Sequence, residues 1–213
     1  MPTDQALQAL IFDAGGVFVP HDNERLFARL ASRCSAPGAV ERLRAHHDRN
    51  PKIGTGEMPI EAVHRLLQDE LGYCGGWDEF LSDWSCHLEL DRRMLGLMTA
   101  LAVENRVLVF SNTNTRHWAR VEEMCGRALG PFELYLSHEI AAVKPDLAAF
   151  ALVAERARLD PSRCLFIDDL AENVEAARRA GFQAEQFTGQ AALERLLETR
   201  GVRWARQIEE TTA

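Results

Sequence analysis

Residues 7–17 read Leu7-Gln8-Ala9-Leu10-Ile11-Phe12-Asp13-Ala14-Gly15-Gly16-Val17. A short apolar run that ends in a carboxylate and two glycines is the pattern of a strand buried on both faces, with its carboxyl end opening into a tight loop. The pattern recurs twice. Val107-Leu108-Val109-Phe110 runs into Ser111-Asn112-Thr113-Asn114-Thr115, and Cys164-Leu165-Phe166-Ile167 runs into Asp168-Asp169, with Glu172 and Asn173 following. Weaker strand candidates lie at 134–137 and 183–187. Between the strands, apolar residues recur at helical spacing over 91–102, 146–157, 171–180 and 190–199.

Short buried strands alternating with amphipathic helices predict an α/β fold, a doubly wound, Rossmann-like and mostly parallel sheet. More than 90 residues separate the first two strands, far beyond one crossover helix. That interval reads as helical over 24–32, 39–47, 59–71 and 77–87, with a turn or loop from Asn50 to Gly56. The expected organisation is a core built from 1–19 and 89–213, carrying an inserted helical cap over 20–88. An insertion after the first strand hangs over the carboxyl edge of the sheet, where open α/β folds bind their ligands.

The chain has 213 residues, 24 Lys plus Arg against 32 Asp plus Glu, and 46% apolar residues, for a net charge of −8. That composition excludes a disordered or fibrous protein. It offers no basic footprint for nucleic acid. No stretch approaches the roughly 20 apolar residues of a membrane span, and no signal peptide is read at the amino terminus. Cys34, Cys74, Cys86, Cys125 and Cys164 are odd in number and form no C-x-x-C pair, so reduced thiols and a cytoplasmic location are expected. The adjacent His46 and His47 point to different sides of a helix, which argues against a zinc site there.

The strand ends should converge in space. Asp13 beside two glycines projects a carboxylate where backbone can approach a ligand closely, although an Asx turn would use the same residues. Hydroxyls, amides and backbone N–H groups from Ser111 to Thr115 suit an anion at a helix start, or ordinary helix capping. Adjacent carboxylates at Asp168-Asp169 repel one another, and a hard divalent cation relieves that repulsion; a capping box of Asp169 with Glu172 would account for only one of them. Lys144 precedes Pro145, which fits the first position of a helix.

In this order, Phe12-Asp13-Ala14-Gly15-Gly16-Val17, Phe110-Ser111-Asn112-Thr113-Asn114, Lys144-Pro145 and Phe166-Ile167-Asp168-Asp169 with Asn173 resemble the haloacid dehalogenase superfamily. The resemblance is to its phosphatase-like branch with a small helical cap, and in motif form to bacterial sugar-1-phosphate phosphatases. It implies that Asp13 is a nucleophile forming an aspartyl-phosphate and that Lys144 balances the charge of nucleophile and phosphate. Ser111 and the backbone at Asn112 would hold phosphate oxygens. Asp13, Asp169 and the Gly15 carbonyl would ligate Mg2+, supported by Asp168 and Asn173. The partner it implies is a small phosphorylated metabolite, with neither nucleic acid nor membrane.

One position departs from the pattern. Phosphatases of the superfamily usually carry a second Asp two residues after the nucleophile as general acid, and here Gly15 stands there. General acid–base catalysis contributes about 10²–10⁴ in rate, so substrates with acidic leaving groups, such as anomeric sugar 1-phosphates, are expected to be favoured. His21 is a candidate replacement donor, with an ordinary surface histidine as the alternative. Two other functions fit parts of the pattern: a 2-haloacid dehalogenase, disfavoured by the Asp168-Asp169 pair, and a catalytically weak phosphate-binding regulatory protein. Substrate choice is expected from the cap, whose candidates are Trp77, Trp84, Tyr73, His46, His47, Arg44 and Arg49, with Trp84 read as core packing. The loop Gly54-Thr55-Gly56-Glu57 is expected to touch the core or the mouth of the site.

Overall fold

The computed structural model describes residues 6–49 and 52–205, the side chains of residues 47–49 excepted. Five strands, β1 (Ala9–Phe12), β2 (Val107–Ser111), β3 (Glu133–Leu136), β4 (Cys164–Asp168) and β5 (Gln183–Gln186), form one sheet in the order β3-β2-β1-β4-β5. Every neighbouring pair is parallel. The chain winds outward from β1 through β2 to β3, then returns to the other side of β1 for β4 and β5. That reversal puts the switch point between β1 and β4, where a crevice opens at the carboxyl edge. The register sets Phe12 level with Ile167, so the next residues, Asp13 and Asp168, leave the sheet side by side.

Alternation along the strands divides the core into two layers. Leu10, Phe12, Val107, Val109, Leu165 and Ile167 pack on one face against α5 (Arg92–Leu101), α6 (Thr115–Cys125) and α10 (Gln190–Thr199). Ile11, Leu108, Phe110 and Phe166 pack on the other against α8 (Leu147–Ala157) and α9 (Ala171–Arg179). Burial on both faces explains why β1, β2 and β4 read as unbroken apolar runs. A four-residue helix, α7 (Ser137–Ile140), follows β3 directly, so Ser137 opens a helix and does not close a strand. Pro145 also lies outside its helix, because α8 starts at Leu147 with Asp146 at the N-cap.

Four helices fill the interval after β1: α1 (Asn23–Ala31), α2 (Ala39–Arg49), α3 (Ile60–Leu71) and α4 (Trp77–Trp84). They enclose a hydrophobic cluster of their own, including Leu26, Leu30, Leu67, Leu71, Phe80 and Trp84. α4 stops at Trp84, three residues before the end expected from periodicity. The buried Asp83 ties this bundle together: it accepts from Arg29 Nε at 2.6 Å, from Arg33 Nε at 2.8 Å and from the Tyr73 hydroxyl at 2.9 Å. The two connections to the sheet run side by side. Asp22 N–H donates to the His87 carbonyl, Glu89 N–H to Pro20 and Asp91 N–H to Phe18. Asn50 and Pro51, part of the expected loop, lie outside the described residues, as does the tail from residue 206. Among the described residues, no helix is long and apolar enough to cross a membrane.

Candidate active site

The carboxyl ends of β1, β2 and β4 bring Asp13, Ser111 and Asp169 to one cavity edge, joined by Lys144 from the loop before α8 and Asn173 from α9, with the fully buried Asp168 behind them. Asp168 is the anchor. Its Oδ1 accepts from the Leu170 N–H at 2.9 Å, Asn173 Nδ2 lies 3.0 Å from both oxygens, and Lys144 Nζ donates to Oδ2 at 2.6 Å. Lys144 Nζ also lies 2.8 Å from Asp13 Oδ1 and sits near the faces of Phe110 and Phe166, 5.3 and 5.4 Å from their centroids. These aromatic walls keep the ammonium dry and aimed at the two carboxylates. The Lys144 backbone is held too: its N–H donates to Asn112 Oδ1 at 2.9 Å, and Asn112 Nδ2 donates to its carbonyl at 2.8 Å. The Asn112 side chain therefore positions Lys144, which leaves its main chain for contact with a ligand.

Asp169 does not cap the next helix. The residue before α9 is Leu170, with no side-chain cap bond, so the capping-box reading of Asp169 and Glu172 fails. The Asp169 carboxylate instead lies over Gly16: a Cβ built on Gly16 would meet Asp169 Oδ2 at 2.0 Å, and Gly16 has φ +67°. Any other residue there would collide with the carboxylate and strain the backbone. Asp13, Asp168 and Asp169 each offer an oxygen within 4.8 Å of the others. Burial pushes the Asp13 carboxyl up to about 6, Lys144 pulling the other way and Asp168 adding to the rise. Burial, then the neighbouring Asp168, also raises Asp169. Carboxyls that resist ionisation while clustered are a donor set short of positive charge, and hard oxygens at this spacing fit Mg2+.

The cavity measures about 480 Å3. Above the acidic edge it is walled by His21, Leu26, Ile53, Trp84, His87 and His117. Of the cap candidates among the described residues, only Trp84 reaches it, in addition to its place in the cap core. Tyr73 is buried on Asp83, Trp77 packs on His64 and Phe80, His46 pairs with Glu70 and Arg44 with Glu24. The side chains of His47 and Arg49 lie outside the described residues. The cap loop meets the core as expected, since Gly54 lines the cavity. Sequence reasoning missed His87, His117 and Ser137 because their neighbours come from the crossing of α4 over α6 and of the cap loop over α7. His21 lies beside Gly15: a Cβ on Gly15 would meet its Cε1 at 3.4 Å and Nδ1 at 3.6 Å, with Asp13 Oδ2 at 3.8 Å.

A model of the haloacid dehalogenase-like hydrolases matches residues 89–181, the stretch that holds Ser111, Lys144 and the Asp168-Asp169 pair. Over that stretch the chain is similar to the haloacid dehalogenase-like hydrolases. The chain is 26% identical over 189 residues to the D-ribitol-5-phosphate phosphatase of Bacteroides thetaiotaomicron, covering 84% of this chain and 91% of that protein. A haloacid dehalogenase family enzyme of known structure from the same bacterium superposes with a TM-score of 0.82 at 23% identity, covering 90% and 99% of the two chains. A further structure of that enzyme, an alanine mutant solved with magnesium and inorganic phosphate, superposes at 0.77 with 22% identity, covering 87% and 96%. Both structures share the fold of this chain.

Proposed function

We propose that this chain is a magnesium-dependent phosphatase of a small phosphorylated metabolite, with Asp13 as nucleophile and residues 20–88 as a substrate-selecting cap. The observation that carries the reading is the charge count at the carboxyl edge. Three clustered carboxylates face one ammonium, Lys144, which leaves two negative charges in excess where an anionic substrate would dock. Magnesium held by Asp13, Asp169 and the Gly15 carbonyl would neutralise that excess and polarise the phosphoryl oxygens. Ser111 and the Asn112 main chain hold the remaining phosphate oxygens.

An Asp13 oxygen attacks phosphorus while the bond to the ester oxygen breaks, and water then hydrolyses the aspartyl-phosphate. Lys144 keeps Asp13 ionised and in place, while Asp168 and Asn173 keep Lys144 in place. Gly15 brings no acid for the departing alcohol, so leaving groups that need the least protonation, anomeric sugar 1-phosphates above all, react fastest. His21 is the imidazole nearest that gap. Five thiols without disulfides support a cytoplasmic setting.

The test is turnover of a panel of phosphate esters with magnesium, beside Asp13→Asn as blank, comparing anomeric sugar 1-phosphates with alkyl esters such as polyol 5-phosphates. Activity on the panel that is lost in Asp13→Asn supports the phosphatase. Faster turnover of the alkyl esters refutes the leaving-group preference, and no turnover of any ester refutes the phosphatase.

A further inference from the structure

Two hydrogen-bonded chains run from the cap to the loop that follows β2. In the first, the fully buried Ser137 Oγ donates to the Gly54 carbonyl of the cap loop at 2.5 Å and accepts from the Thr113 N–H at 2.9 Å. The cap loop lies so close to α7 that a Cβ on Gly56, at φ +76°, would meet the His138 carbonyl at 2.8 Å. In the second chain, Asn114 caps α6, its Oδ1 accepting from the His117 N–H at 3.0 Å. That bond fixes the amide, so Asn114 Nδ2 faces His117 Nδ1 at 3.1 Å. An amide NH2 only donates. Nδ1 is therefore the acceptor, and Nε2 carries the proton that goes to the Trp84 carbonyl, 3.0 Å away in the last turn of α4. The Trp84 and His117 rings stack, with centroids 5.5 Å apart. Arg116 adds a bond from Nε to the Leu81 carbonyl at 3.3 Å, a cation at the negative end of α4.

Both chains terminate on Thr113 and Asn114, the residues directly after Ser111 and Asn112. We propose that Ser137 and His117 are positioning residues that make cap seating and phosphate binding a single event. A phosphate that orders the 111–114 loop fixes the donors that hold Gly54 and Trp84, and a seated cap holds the loop in its phosphate-binding shape. The coupling is reciprocal by linkage. Hydrogen bonds lose strength steeply with misalignment, so a loop displaced by about an ångström releases both grips together. The cap thus registers a phosphate that it does not touch. This inference rests on the reading of residues 111–112 as the phosphate seat.

The test uses the full chain, with inorganic phosphate plus magnesium as the probe. Hydrogen exchange is read over residues 52–58 and 81–88, and phosphate affinity is measured separately by calorimetry. In the wild type, phosphate slows exchange in both segments. In His117→Phe the slowing over 81–88 is lost and phosphate binds about tenfold more weakly, as expected for one lost partly buried hydrogen bond. His117→Gln, whose amide N–H reaches the Trp84 carbonyl, restores both; a role in helix packing alone gives no such rescue. Ser137→Ala loses the slowing over 52–58, and if it does not fold, the two His117 variants decide. Phosphate that binds the wild type without slowing either segment, or slowing that survives in His117→Phe, overturns the coupling while leaving the phosphate seat intact. Phosphate that does not bind the wild type at all removes the seat, and the coupling with it.

Discussion

Asp13→Asn should stabilise the metal-free protein as it abolishes turnover. A carboxyl that ionises near pH 6 in the folded state, and near 4 when unfolded, costs the fold about 1.4 kcal/mol for each intervening pH unit, or about 3 kcal/mol above pH 6. Because the folded pKa is raised, the protonated form is the favoured one. Its stabilising contribution is full below about pH 4 and is lost as pH rises through 6. An asparagine has the shape of the protonated acid, can still accept from Lys144, and leaves that ammonium opposite Asp168 alone. In chelator at pH 8 the variant should exceed the wild type by up to about 3 kcal/mol, or about 6–12 °C in melting temperature for a chain of this size. The gap should close towards pH 4, and magnesium at pH 8 should narrow it by raising the wild type. Urea titrations at pH 4, 6 and 8, with and without magnesium, measure all three. A variant no more stable than wild type at pH 8 without metal, or a gap independent of pH, refutes the account of a carboxylate held in charge deficit.

Gly15→Asp is sterically open, since its Cβ would make an ordinary contact with His21 at 3.4 Å; turnover of alkyl phosphates should rise by about tenfold or more, with little change for anomeric esters. Equal rates in a folded, magnesium-binding variant would mean that the proton is already supplied. Gly16→Ala pushes a methyl into Asp169, and calorimetry should show magnesium affinity at least about tenfold weaker, with stability lower by about 1–2 kcal/mol. Burial pushes the Cys125 and Cys164 thiols up to about 11, so at pH 8 they hold little thiolate. Iodoacetamide should modify the exposed Cys74 well before either, a difference that mass spectrometry resolves and denaturant erases.

The parts of the fold legible in the sequence are those that local composition determines. β1, β2 and β4 are covered on both faces, so an unbroken apolar run announces each of them, and the carboxylates and hydroxyl just beyond identify the edge. β3 and β5 lie at the sheet borders with their side chains half exposed, and the weaker pattern let Ser137 pass for the end of a strand. The acidic cluster was legible because adjacent carboxylates are costly without a cation. The cavity walls were not. Tyr73 has the chemistry of a substrate contact but serves Asp83, and His117 looks like any helical histidine until α4 is laid across α6. Such contacts depend on how distant helices cross, which no local pattern records.

The paired connections between Pro20 and Glu89 and between Phe18 and Asp91 bring the inserted helices in and out at a single doorway. Strand β1 and helix α5 therefore meet the same short gap whatever is spliced between them. Length, helix count and residue identity can vary beyond that gap without shifting the sheet register that sets Asp13 beside Asp168. On the proposed function, the chemistry and the choice of substrate are written on separable stretches of chain, so selection can revise one while inheriting the other unchanged.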